Sequence, residues 1–207
     1  YEAAGGQSAC SIWQTSDGGY ALFGESGISG WLVKVDSDGV MEWNNTFSKP
    51  GYEVQVYAGQ QTSDGGYMLA GGIPNTEFVG DMGYGDAILI KTDGVGNVQW
   101  EKVYGGSGHQ FVFAAVQASD QGYVLAGVGH DSSALLIKTD SLGNTIWNKT
   151  LDAAAIARSI QQTSDGGFIV AGEKTVGTFT DGWYAKTDSN GNITWSKTYG
   201  WTDKQDW

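Results

Sequence analysis

The sequence predicts an all-β fold, a β-propeller of four four-stranded antiparallel blades, and three observations carry that prediction. The first is internal repetition. The stretch Gln61-Thr62-Ser63-Asp64-Gly65-Gly66-Tyr67 recurs at Gln14 to Tyr20, as Gln117-Ala118-Ser119-Asp120-Gln121-Gly122-Tyr123, and at Gln162 to Phe168. The anchors Thr15, Thr62, Ala118 and Thr163 are 47, 56 and 45 residues apart, and the tryptophans Trp43, Trp100, Trp147 and Trp195 follow at 57, 47 and 48. A fixed period of that order marks stacked repeat units. The second is composition: 33 glycines against 2 prolines, with short alternating apolar runs, imply many tight turns between strands. The third is that every copy divides into four extended runs, the anatomy of a propeller blade.

Within a copy, the first run ends at Ser-Asp-Gly-Gly, whose glycines supply the positive φ of a tight hairpin. The second is a Tyr- or Phe-led apolar run closing at Ala-Gly, as in Tyr123-Val124-Leu125-Ala126-Gly127. The third, as in Ala87-Ile88-Leu89-Ile90-Lys91-Thr92, closes at an Asp-x-x-Gly-Asn turn, and the fourth carries the tryptophan. This places one domain over 1–207, with blades at about 8–48, 52–104, 111–151 and 156–199 and a tail at 200–207. The surplus of about ten residues in copy two falls between Gly71 and Asp86 and reads as a loop insertion. A blade is a small sheet with two faces to hide, and only neighbouring blades can cover them. Trp43, Trp100, Trp147 and Trp195 are therefore expected to pack against the next blade, each loss costing about 3–5 kcal/mol.

Composition excludes some functions. A net charge of -12 and a pI near 4.3 repel a phosphate backbone, and no Lys/Arg cluster offsets this, so nucleic acid is not an expected partner. No apolar run approaches the roughly 20 residues of a spanning helix, so this chain is not expected to insert into a membrane. The lone Cys10 has no internal disulfide partner and reads as a buried, inert thiol. The chain begins at Tyr1 with neither an initiator methionine nor a signal peptide, as a mature or excised piece would. Tyr1 aligns with Tyr104 at the end of a fourth strand, and closure of four blades into a ring is expected, a segment of a longer array being the other arrangement.

The recurring lysines Lys34, Lys91, Lys138 and Lys186 precede the turn aspartates Asp36, Asp93, Asp140 and Asp188 by two residues. A ring of cations could take an anion, but each lysine is expected to lie over an aromatic face or pair with a carboxylate of its own blade. Asp36-Ser37-Asp38-Gly39 opens like a calcium loop yet lacks its later glycine spacing and closing glutamate, so an Asp-capped hairpin is expected.

The patterns QTSDGGYxLAG and KTDxxGNxxWxKTYGG resemble the tandem repeats of large archaeal and bacterial cell-surface proteins, which themselves resemble propeller blades. The resemblance covers essentially the whole chain. Copy one departs from it at Ser29-Gly30 and Val35, and copy three at Gln121. The third and fourth strands also resemble quinoprotein-type propeller repeats, although four copies fall short of those larger enzymes. The resemblance implies an extracellular or cell-surface location with structural or adhesive duty, as in a surface layer, sheath or filament. It also implies partners that are other surface proteins or copies of the chain itself, and it supplies no catalytic residues.

Three Asn-x-Thr sequons stand at Asn44, Asn148 and Asn192, all expected on the outermost strand, where glycans would be accessible and would block edge pairing. The irregular loops gather on one face of the ring, and among them the blade-two insert offers Phe78, Asp81, Tyr84 and Asp86 as a candidate ligand site. His109, His130 and Asp131 fall on the same side; two histidines in acidic loops read as surface residues rather than metal ligands. No nucleophile with a base, phosphate loop or cofactor motif is present, so neither a catalytic residue nor a cofactor is expected. The leading expectation is thus a non-enzymatic structural or adhesive module. A carbohydrate-binding propeller is the second reading. The third is a propeller glycoside hydrolase or lyase, recognisable by close carboxylates with a raised pKa at the axis.

Overall fold

The computed structural model describes residues 6–74, 85–105 and 108–200. It contains sixteen strands in four antiparallel sheets, each with its strands in chain order. Blade one is β1 (Gln7–Gln14), β2 (Tyr20–Ser26), β3 (Ser29–Val35) and β4 (Met41–Phe47); blade two is β5 (Gln55–Gln61), β6 (Tyr67–Pro74), β7 (Gly85–Thr92) and β8 (Val98–Tyr104). Blade three is β9 (Phe111–Gln117), β10 (Tyr123–Val128), β11 (Ala134–Thr139) and β12 (Thr145–Thr150); blade four is β13 (Ala155–Gln162), β14 (Phe168–Val176), β15 (Phe179–Thr187) and β16 (Ile193–Tyr199). First strands of successive blades lie side by side, β1 by β5, β5 by β9 and β9 by β13, so they line the axis and the fourth strands form the rim. The all-β propeller architecture is as the repeats predict.

The turns follow from the motif. Asp64 accepts the Thr62 hydroxyl and the Gly66 amide, while Gly65 takes φ +83°. In copy three Gln121 occupies the same left-handed conformation, at φ +68°. Lys91 Nζ reaches Asp64 at 2.9 Å and donates to the Thr92 carbonyl, and the pairs Lys34–Asp17, Lys138–Asp120 and Lys186–Asp165 repeat this at 2.8–3.0 Å. The recurring lysines thus pair with carboxylates of their own blades, and their stems are buried in blades one to three. Burial opposes ionisation of Asp64, but its bonds to Thr62, Lys91 and Gly66 outweigh it and lower the pKa to about 2. Asp36 accepts the amides of Asp38 and Val40, so the calcium-like segment is a capped hairpin; Asp93, Asp140 and Asp188 cap theirs the same way.

Three apolar clusters fill the three junctions between successive blades. Trp43 meets Tyr67, Trp100 meets Tyr123 and Trp147 meets Phe168, each edge-on across a junction at 5.7–6.4 Å. Each tryptophan also lies against a turn glycine of the next blade: Trp43 on Gly96, Trp100 on Gly143 and Trp147 on Gly191. A backbone amide of one blade donates to a glutamine of the next at 2.8 Å, from Ser16 to Gln61, Ser63 to Gln117 and Ser119 to Gln162. Between blade four and blade one no such cluster or ring contact forms among the described residues, and closure is not seen there. Trp195 accordingly packs on Tyr184 of its own blade and stays 42% exposed.

Candidate active site at the axis

Each first strand carries one extra residue. The register steps from Ala9 to Ser11, from Val56 to Ala58, from Val112 to Ala114 and from Ala157 to Ser159, leaving Cys10, Tyr57, Phe113 and Arg158 as β-bulges. All four stand five residues before the repeat anchor. The glycine ending the Ala-Gly of each copy makes the bulge possible. A Cβ on Gly24, Gly71, Gly127 or Gly172 would meet a first-strand carbonyl oxygen at 1.7–1.9 Å. The bulge breaks the two-residue alternation and re-aims one side chain per blade.

These side chains converge. Tyr57 and Phe113 lie 5.4 Å apart, and the Arg158 guanidinium sits 4.3 Å over the Phe113 ring. Arg158 donates to Glu173 Oε1 at 2.6 Å through Nη2 and at 3.2 Å through Nε. The Tyr57 hydroxyl donates to Gln55 at 2.7 Å, and Gln55 donates to Glu53 at 3.1 Å. Glu25 and Glu173 occupy the same position in blades one and four, ten residues after the anchor, where blades two and three have Gly72 and Val128. Burial, then the neighbouring Glu53 charge, raises the Glu25 pKa from its ordinary value. Burial pushes the Tyr57 phenol up to about 12, with Glu25, Cys10 and Glu53 adding to it and Arg158 opposing. Groups from blades one, two and four thus share one electrostatic environment around Tyr57.

That arrangement places one half-buried carboxyl group, Glu25, near a second, Glu53, and pairs a third, Glu173, with the Arg158 guanidinium that also acts on Tyr57. Carboxyl groups held in unlike environments can divide acid and base roles between them. Linear motifs could not reveal this set, because its members come from four blades. The available signal was positional: five before and ten after the anchor, the copies read Cys/Tyr/Phe/Arg and Glu/Gly/Val/Glu.

Of the residues singled out from sequence, those the structure describes fall elsewhere. Phe78, Asp81 and Tyr84 lie outside the described residues. Asp86 is the second residue of β7, with its carboxylate against Gly105; burial raises its pKa and the His109 charge opposes this. His109 and His130 meet edge-on at 5.4 Å, but the Asp131 carboxylate accepts the Ser133 amide of its own turn. Among the described residues no group of three His, Cys, Asp or Glu is gathered for a metal. Asn44 and Asn148 are exposed on β4 and β12, whereas Asn192 sits in the turn before β16, donating to Asp188 and accepting from Lys149. Cys10 is exposed, not buried, because the bulge takes it out of the pairing register of β1. A cavity of about 170 Å³ between blades one and two is floored by Phe47, Val54 and Ile88 and contains none of the axial carboxylates.

No family model matches the chain, and no curated protein does. Among solved structures it is similar in fold to the GH43 endo-arabinanase from Bacillus licheniformis. The TM-score is 0.53 at 14% identity, and the match covers 94% of this chain and 79% of that one. The likeness is one of fold. It corrects the non-enzymatic expectation, which rested on the resemblance to surface-protein repeats and on the lack of a catalytic motif. A glycoside hydrolase uses a scaffold that these four blades match over nearly their whole length. The missing linear motif argues nothing further, because the axial groups are assembled across blades.

Proposed function

We propose that the chain is a glycan-directed propeller that hydrolyses a glycosidic bond at the axial site. The observation that carries the reading is Glu25, a half-buried carboxyl group with a raised pKa near Glu53, next to the axial bulges of the blades. In this reading protonated Glu25 delivers its proton to the leaving oxygen as the glycosidic bond breaks. Glu53 is the second carboxylate, acting on the opposite side of the sugar or on the attacking water. Tyr57 and Phe113 supply aromatic surface for a sugar ring, and Arg158 holds Glu173 in place while capping Phe113. The GH43 likeness makes arabinan the first substrate to test.

The test is release of reducing ends from arabinan and a panel of other plant and microbial polysaccharides by the intact chain, Glu25→Gln and Glu53→Gln. Hydrolysis abolished in both variants, with folding retained, supports the reading. Release unaffected by both substitutions, or no release from any polysaccharide, refutes it. Binding without release would instead assign the site to carbohydrate recognition.

We also infer an extracellular setting with N-glycans at Asn44 and Asn148, which lie exposed on rim strands. An intact mass equal to that of the bare polypeptide, in material from the native source, would overturn this.

A further inference from the structure

The two terminal faces of the arc are the two halves of the junction that recurs inside it. On blade four, Trp195 stands where Trp43, Trp100 and Trp147 do, Ser164 where the amide donors Ser16, Ser63 and Ser119 do, and Ala171 where Phe23, Ala70 and Ala126 do. Phe23, Ala70 and Ala126 are fully buried, whereas Ala171 is exposed. On blade one, Tyr20 stands where Tyr67, Tyr123 and Phe168 receive a tryptophan, and Gln14 where Gln61, Gln117 and Gln162 accept an amide. Gly39 occupies the turn position of Gly96, Gly143 and Gly191, but a Cβ built there meets nothing within 4 Å. Ile12 matches Ile160, which packs in the cluster that holds Ala126, yet Ile12 is 64% exposed.

We propose that the blade-four face binds the blade-one face of a second copy of this chain. Trp195 then lies edge-on to the partner copy's tyrosine at position 20 and covers its glycine at position 39. The Ser164 amide finds a glutamine, and the small Ala171 receives an isoleucine, as the cluster holding Ala126 receives Ile160. One sequence supplies both halves, in the same order and direction as at the three internal junctions. That continuity is the reason for choosing a second copy as the occupant. The contact is heterologous: a copy that has used one face still offers the other.

The experiment is sedimentation velocity over a wide concentration range, at moderate salt to screen the -12 charge on each copy. The wild type is expected to associate with increasing concentration. Ile12→Glu and Trp195→Ala, each at an exposed position and each checked for an unchanged thermal melt, are expected to weaken self-association at least about tenfold. Mixed together, they are expected to form a complex that stops at two copies, because each retains the face the other has lost. A wild type that stays monomeric throughout overturns the proposal, as does association that neither substitution weakens. If the chain stays monomeric but a copy of residues 155–200 appended after Gly200 removes Trp195 from solvent, the face belongs to a blade in the same polypeptide. The second-copy proposal then falls.

Discussion

Trp100 of blade two meets Tyr123 of blade three edge-on at 5.7 Å and lies against Gly143, the turn glycine of that same blade. The tryptophan is thereby bracketed by two elements of its neighbour. Trp100→Ala is expected to cost about 3–5 kcal/mol in urea unfolding. Trp195→Ala, lacking such a neighbour, is expected to cost under about 1 kcal/mol in dilute solution.

Gly143 and Gly39 occupy the same turn at φ +76° and +81°, but only at Gly143 does a Cβ collide with a tryptophan, at 2.7 Å. Gly39→Ala should therefore show only the left-handed penalty of about 1–2 kcal/mol. Gly143→Ala should cost about 1–3 kcal/mol more from overpacking. Equal melting shifts for the two would contradict the bracketing of Trp100.

Gln121 holds a left-handed conformation that the other copies give to glycine, and its side chain bonds the Ser63 hydroxyl across the junction. Relief of backbone strain outweighs the loss of one exposed hydrogen bond. Gln121→Gly is expected to raise stability by about 0.5–1 kcal/mol, read as an increased denaturation midpoint.

The pairs Lys91–Asp64 and Lys138–Asp120 link the stability of the fold to acid pH. Their carboxyl pKa values are lowered in the folded state, so their contribution is complete above the unfolded value of roughly 4 and disappears as pH falls through the folded values, about 2 for Asp64. Circular dichroism is expected to show stability falling between about pH 4 and pH 2. Asp64→Asn should flatten that fall, and an unchanged profile would remove these pairs as its cause.

Glu25 behaves in the opposite sense. Its folded pKa is raised, so its favourable contribution is present below the unfolded value of roughly 4.3 and is lost as pH rises through the folded one. Glu25→Gln should raise the melting temperature at pH 7 while leaving it nearly unchanged at pH 4.

The scaffold was largely legible in the residues. Ser-Asp-Gly-Gly and Asp-x-x-Gly-Asn have a local mechanism that reads the same in four copies, and of the two expectations for Lys34, Lys91, Lys138 and Lys186, an aromatic face or a carboxylate of the same blade, the structure has the second. The Ala-Gly pairs were misread as strand ends, since β6 runs on to Pro74 and β14 to Val176. The glycine there serves an adjacent strand, a relationship that strand alternation does not encode. The axial groups escaped for the same reason: Glu25, Glu53, Tyr57 and Arg158 are distant in sequence and meet only once blades stack about an axis. The junction between blades four and one, where no closing contact is seen among the described residues, was not legible either, because closure depends on the rotation between blades and not on the pattern within one.

The bulged position has a consequence for how such a chain can change over generations. Cys10, Tyr57, Phe113 and Arg158 are four different residues in backbones that are otherwise near-copies. A residue outside the strand's pairing register is released from the packing rules that keep the copies alike. Duplication of a blade therefore adds one independently variable letter to the rim of the axis, and chemistry there can diversify one substitution at a time without disturbing the walls that hold it.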